Sequence, residues 1–177
     1  EKGNGYWRIK EAESGFYLST VDGALALAKL NLSAKSQRWE IGDWYGTYIY
    51  IKNIYANSYI FVGGGVGLQA DGNTLGIWPE SEVPAYGNGN GAASTNTLEN
   101  NTDIVSGEKY MIGNVQWEGN FLGADITVEP EVPDVPEEPD VPEEPAETIY
   151  EDTAFSNAAS AFVQNGYWIF ENHGNGV

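Results

Sequence analysis

Apolar and polar residues alternate with a period of two over short runs along most of the chain. Tyr6-Trp7-Arg8-Ile9-Lys10 alternates, Glu13-Ser14-Gly15 reads as a turn, and Phe16-Tyr17-Leu18-Ser19 resumes the alternation, which is the signature of a hairpin. Further short strands are predicted from Ala24 to Leu30 and over Gln37-Arg38-Trp39-Glu40-Ile41. Few windows long enough for a helix escape Gly, Asn or β-branched and aromatic alternation, so the pattern predicts an all-β chain with Gly- and Asn-rich turns.

The same order of elements returns. The run YIYIKNIYANSYIFV, from Tyr48 to Val62, sets Ile51 on Ile9, Lys52 on Lys10 and Tyr59 on Tyr17, and continues to Gly76-Ile77-Trp78. A third start, YMIGNVQWEGNFLG from Tyr110 to Gly123, puts Ile112, Phe121 and Leu122 in the apolar places. A period of roughly 40 residues means units that bury their apolar faces only against one another. Three all-β units of that length point to a closed threefold fold.

GYWRIKEAESGFYLS followed by SQRWEI resembles the repeat of ricin-type β-trefoil lectins and the related family 13 carbohydrate-binding modules. The resemblance runs from residue 5 to about 125, interrupted by a polar stretch from Tyr86 to Gly107. It implies a β-trefoil of three units, the third partial or interrupted, in which the closing Q-x-W motif is core. Gln37, Trp39 and Trp78 are thereby expected to be structural. In the family the sugar-binding carboxylate is an Asp just after the Leu of the second strand, with an aromatic in the third strand. Here Ser19, Phe61 and Gly123 follow Leu18, Ile60 and Leu122, so that Asp is displaced in all three units.

After Leu122 only a few residues precede PEVPDVPEEPDVPEEP, where proline falls at every third position from Pro130 to Pro145. Polyproline II has three residues per turn and rises about 3.1 Å per residue, so this run reads as a stiff acidic spacer roughly 50 Å long. The chain divides into a ricin-like trefoil over 1–128, the spacer over 129–147 and a tail over 148–177. The tail either begins a further module or supplies the closing strands of the third unit, with Gln164, Trp168, Ile169 and Phe170 as a loosened closing motif.

Charge narrows the partners. The formal charge is −18, and 129–147 contributes nine acidic residues and no basic ones, leaving −9 elsewhere. Eight scattered basic residues supply no stripe for a phosphate backbone, so nucleic acid is excluded as a partner, and anionic membrane surfaces are disfavoured. With no cysteine there is neither a disulfide framework nor a thiolate metal site, and no apolar run reaches the length of a membrane helix. Glu1 without a preceding Met suggests a mature or excised chain, and the Gly-, Tyr- and Trp-rich composition with an acidic spacer resembles secreted modular proteins.

No constellation for catalysis stands out. His173 is the single histidine, in a turn-like stretch, and the pairs Glu11 with Glu13 and Glu40 with Asp43 read as solvated strand ends. Gly63-Gly64-Gly65 lacks the helix and Lys of a phosphate loop, and Asp71-Gly72-Asn73 lacks the ligands of a calcium loop, so no metal or cofactor is expected. Sugar binding needs an exposed aromatic face and a carboxylate or amide for paired hydroxyls. The candidates are Trp117 with Glu118 and Asn120, then Asp125 and Asp22, and the aromatics Trp44, Tyr45 and Tyr55. The expected function is non-catalytic carbohydrate binding within a larger secreted polysaccharide-acting or surface protein. The alternatives are a structural or protein-interaction trefoil and a fragment of a glycoside hydrolase or lyase.

Overall fold

The computed structural model describes residues 5–44, 48–63, 65–72, 74–79, 104–115, 121–125, 154–156 and 166–174, with only the backbone at 44, 125 and 154–156. The acidic Pro-rich run over 129–147 lies outside the described residues. The described chain is all β: β1 Trp7–Glu11, β2 Tyr17–Val21, β3 Ala24–Ala28, β4 Trp39–Trp44, β5 Tyr48–Asn53, β6 Ser58–Val62, β7 Val66–Gln69, β8 Leu75–Pro79, β9 Lys109–Asn114, β10 Gly123–Asp125, β11 Ala154–Ser156 and β12 Trp168–Asn172. A single 3-10 turn, Lys35–Gln37, precedes β4.

Six strands close into a barrel. β1 pairs with β4 and β12, β4 with β5, β5 with β8, β8 with β9, and β9 with β12, all antiparallel. Closure leaves none of the six with an unpaired edge of backbone donors and acceptors. The other six strands pair antiparallel in twos: β2 with β3, β6 with β7, and β10 with β11. In the first, Val21 faces Ala24 across Asp22 and Gly23, whose φ values of 49° and 80° fit a tight two-residue turn needing left-handed backbone at both positions.

One register recurs at three seams of the barrel. Trp39 faces Asn53, Leu75 faces Asn114, and Trp168 faces Glu11. Two residues further on, Ile41 faces Ile51, Ile77 faces Ile112, and Phe170 faces Ile9. These positions point inward and form one core with Leu18, Ile60 and Leu122 from the segments that follow the first strands. The indole N–H groups of Trp39 and Trp168 donate to the carbonyls of Leu18 and Leu122, each at 3.0 Å, so both rings bury their area without stranding a donor.

This register departs from the sequence alignment at one place. Trp78 was expected to take the role of Trp39, but Leu75 occupies that position and Trp78 lies three residues later, on the opposite face of its strand. Trp78 is 4% exposed and packs with Met111 and Phe121 in a separate cluster. The mismatch arises because strand faces alternate every residue, so an odd offset of three turns a side chain to the other side.

Polar residues sit at the inward end of each seam. Glu11, Asn53 and Asn114 are all buried, and each satisfies backbone groups of a neighbouring segment. The Glu11 carboxylate accepts from the amides of Glu13 and Ser14, and Asn53 Oδ1 accepts from those of Tyr55 and Ala56 while its Nδ2 donates to the Ser36 carbonyl. Asn114 Nδ2 donates to Val62 O. Glu11 is therefore a buried turn clamp rather than the solvated strand end expected of it. Gln37, fully buried, accepts from the Asn31 amide and donates to Lys29 O, which holds the loop that leads into β4.

Truncating Trp168 to Ala removes a fully buried indole from the core and is expected to lower stability by roughly 3–5 kcal/mol. Trp168→Phe keeps most of the volume but leaves the Leu122 carbonyl unpaired, at a cost of about 1–3 kcal/mol. Guanidinium unfolding followed by fluorescence measures both, and an unchanged midpoint for Trp168→Ala would contradict the placement of β12 in the barrel.

Candidate functional site

The barrel's outer face differs from seam to seam although the backbone pairing repeats. Arg8 faces Glu171, Gly42 faces Tyr50, and Trp78 faces Met111 at matching positions. At the third seam the solution is apolar: the Trp78 and Phe121 rings meet edge to face at 5.6 Å, and a Cβ on Gly113 would press on both. At the second, the Tyr50 ring lies over Gly42, its hydroxyl donates to Glu40 Oε1 at 2.8 Å, and Tyr59 packs edge-on against it. Burial, helped by the Glu40 hydrogen bond, pushes the Tyr50 hydroxyl up to about 12.

The first seam is polar and joins the first and last strands of the barrel. Glu171 Oε1 accepts from Lys10 Nζ at 2.8 Å and its Oε2 from the Tyr17 hydroxyl at 3.0 Å. His173 Nε2 lies 3.7 Å from the same Oε2, and the His173 ring stacks on Tyr6 with centroids 5.7 Å apart. Hydrogen bonding to Glu171 holds Lys10 above its ordinary range, and burial with the same bond raises Tyr17. Burial works against charge on Glu171, but the donations from Lys10 and Tyr17 outweigh it and hold the carboxyl below its usual value. His173 is thus part of a side-chain network and not an isolated turn histidine. The alternation at Arg8 and Lys10 showed two cations on one face, but nothing in the sequence brought Glu171 to them.

An exposed aromatic turn follows β5. Asn53 clamps residues 54–57 through the amides of Tyr55 and Ala56, and Ile54 N donates to Arg38 O at 3.0 Å. The clamp leaves Tyr55 70% exposed and Ile54 48% exposed. A large ring held outward on a fixed backbone is a stacking platform ordered in advance, which reduces the entropy lost on binding.

The remaining candidates fall as follows. Asp22 is the exposed first residue of the β2–β3 turn, so backbone geometry alone accounts for an Asp there. Trp44 ends β4 and Asp125 ends β10, and only their backbone is described. Tyr45, Trp117, Glu118 and Asn120 lie outside the described residues; in sequence, Trp117 belongs to the connection after β9 that corresponds to the Tyr55 turn after β5. At the family's carboxylate position Ser19 is fully buried, and Phe61 and Gly123 carry no acid.

No protein-family model matches the chain, and no curated protein does. Among solved structures the fold is similar to a ricin B-like lectin of Macrolepiota procera, solved in complex with lactose. The TM-score is 0.50 over 97% of this chain and 96% of that one, with 14% identity. The chain is thus an all-β closed-barrel protein whose fold is similar to that of a ricin B-like lectin.

The polar seam predicts a pH dependence with a defined sign. Because Glu171 titrates below its ordinary 4.5 in the folded chain, its contribution is complete above that pH and is lost as pH falls through the folded value. Glu171→Gln is expected to be less stable than the parent at pH 7, and the difference should shrink as the pH is taken from 5 to 3, at about the acid range of carboxylates. Urea melts across that range test it; a gap independent of pH would remove Glu171 from the seam's energetics.

Proposed function

We propose that the chain is a β-trefoil carbohydrate-binding module without catalytic activity, carried in a larger secreted protein. The observation that carries the reading is Tyr55, 70% exposed on a turn whose backbone is clamped by buried Asn53. The ring offers a face for the C–H groups of a pyranose. Such a shallow site binds weakly by itself and gains useful strength from tethering or repetition. The fold-level likeness to a lectin solved with lactose supports sugar as the ligand class.

The trefoil reading rests on three units of four strands, each giving its first and fourth strands to the barrel and its middle pair to a hairpin. The pairing of β10 with β11 and of β12 with β1 and β9 supports an arrangement in which 148–177 completes the third unit. In that arrangement the acidic run over 129–147 is an insertion within the unit and not a boundary between modules.

A second reading, a protein-interaction trefoil, is favoured by one observation: no carboxylate stands at Ser19, Phe61 or Gly123. Affinity electrophoresis through gels containing galactans, glucans, xylans or pectins separates the two. Retardation by at least one polysaccharide is expected, with Tyr55→Ala weakening it by about two- to tenfold, the value of one aromatic stacking contact. Trp117→Ala, changed in parallel, reports on the corresponding connection of the third unit. If no polysaccharide retards the parent chain, the protein-interaction reading replaces the lectin one.

A further inference from the structure

Both arginines of the chain and its single histidine converge on one ring. Arg8 Cζ lies 5.2 Å and Arg38 Cζ 4.9 Å from the centroid of Tyr6, and His173 stacks on the same ring nearly parallel, at 6°. β1 and β4 meet at the Trp7 and Trp39 pair, so the two guanidiniums stand one residue from that pair on adjacent strands. Like charges so placed across a sheet repel. Cation–π contact with Tyr6 offsets part of the cost, and Arg8 also donates to Leu32 O at 2.8 Å.

An acid in reach would be the ordinary remedy, and the register supplies one. Glu171 is the direct cross-strand partner of Arg8, yet its oxygens are taken by Lys10 and Tyr17. Among the described residues neither arginine has an ion pair. Arg8 is 1% exposed, and the Nε atoms of Arg8 and Arg38 are both buried without a hydrogen-bond partner. Buried charged donors left unpaired are costly and uncommon. Among the described residues no anion is paired with the two guanidiniums.

Its surroundings indicate what carries the anion. Leu32, whose carbonyl Arg8 holds, is 62% exposed, and Arg38 O is bonded to Ile54, next to the exposed Tyr55. Arg38 thus lays its guanidinium over Tyr6 while its backbone carbonyl anchors the turn that carries Tyr55. We infer that Arg38, with Arg8 and Tyr6 behind it, is an anion subsite that selects saccharides bearing a carboxylate or sulfate beside an apolar pyranose face. The inference rests on the carbohydrate reading and narrows it to acidic sugars. The planar fork of Arg suits bidentate contact with either oxyanion. The chain's formal charge of −18 does not override this, because at physiological salt charges more than about 8 Å away are largely screened.

Calorimetric titration of the whole chain with a galacturonic acid trimer, a 6-sulfated galactose trimer and neutral galactotriose tests the inference. At least one anionic trimer is expected to bind about tenfold or more tightly than the neutral one, the worth of a charged hydrogen bond, and which one does so identifies the oxyanion. Arg38→Gln should bring the anionic affinity down to that of galactotriose, while Arg38→Lys, which keeps charge without the fork and spares the fold, should retain part of the preference. Tyr55→Ala should weaken all three trimers. Binding of galactotriose with no preference for either anionic trimer would overturn the subsite and leave the lectin reading standing, as would a preference that survives in Arg38→Gln. Binding of none of the three would overturn the subsite, and retardation or its absence in the polysaccharide gels then decides whether the lectin reading stands.

Discussion

Pairing of β12 with β1 on one side and β9 on the other is the contact on which the rest of the structure depends. Without β12 the other five strands would be joined by four seams, with two edges of unpaired backbone groups and an open side to the core. β12 closes both edges at once and brings Trp168 and Phe170, each fully buried, into the centre. The Trp168 indole then finds the Leu122 carbonyl, as the Trp39 indole finds that of Leu18. Five residues thus convert an open, aggregation-prone sheet into a barrel.

Inside that barrel the chemistry is nearly uniform, and outside it diverges. The inward pairs Ile41 with Ile51, Ile77 with Ile112, and Phe170 with Ile9 fill equivalent space with similar volume, as close packing requires. The outward positions at the same register hold an Arg with a Glu, a Gly with a Tyr, and a Trp with a Met. Arg8, Trp78 and Met111 are themselves buried, but against different neighbours on the outside of the barrel, so the three seams hold different pairs. Among the described residues, three of the buried side-chain atoms without a hydrogen-bond partner, on Arg8, Arg38 and His173, gather at the seam of Tyr6, whereas the third seam leaves only the Trp78 indole N–H so placed. The apolar third seam is filled by its own rings.

Much of the barrel was legible along the chain because alternation of period two records which face of a strand is buried. Ile9 with Ile51, Lys10 with Lys52, and Tyr17 with Tyr59 align in sequence, and Lys10 stands opposite Tyr17 as Lys52 stands opposite Tyr59 in the register. Trp78 misled because a tryptophan is a conspicuous marker, whereas the structure counts faces: Leu75 has the right parity and Trp78 does not. Glu11 misled for a different reason. A carboxylate at a strand end looks solvated until two backbone amides of the following turn are seen to need it. Tyr55 was recognisable as a candidate platform, since a ring in a short Asn-flanked turn has little to pack against.

The sequence by itself determined the strands, their inward and outward faces, the turn at Glu13 to Gly15 and the acidic bias, because each of these is set by neighbours within a few residues. Tertiary structure alone decided that residues beyond the proline run return to close the barrel, that Glu171 spends its charge on Lys10 and Tyr17, and that both arginines share Tyr6. Those outcomes join positions as far apart as Lys10 and Glu171, and no local preference records a pairing whose partners meet only when the last strand is laid against the first.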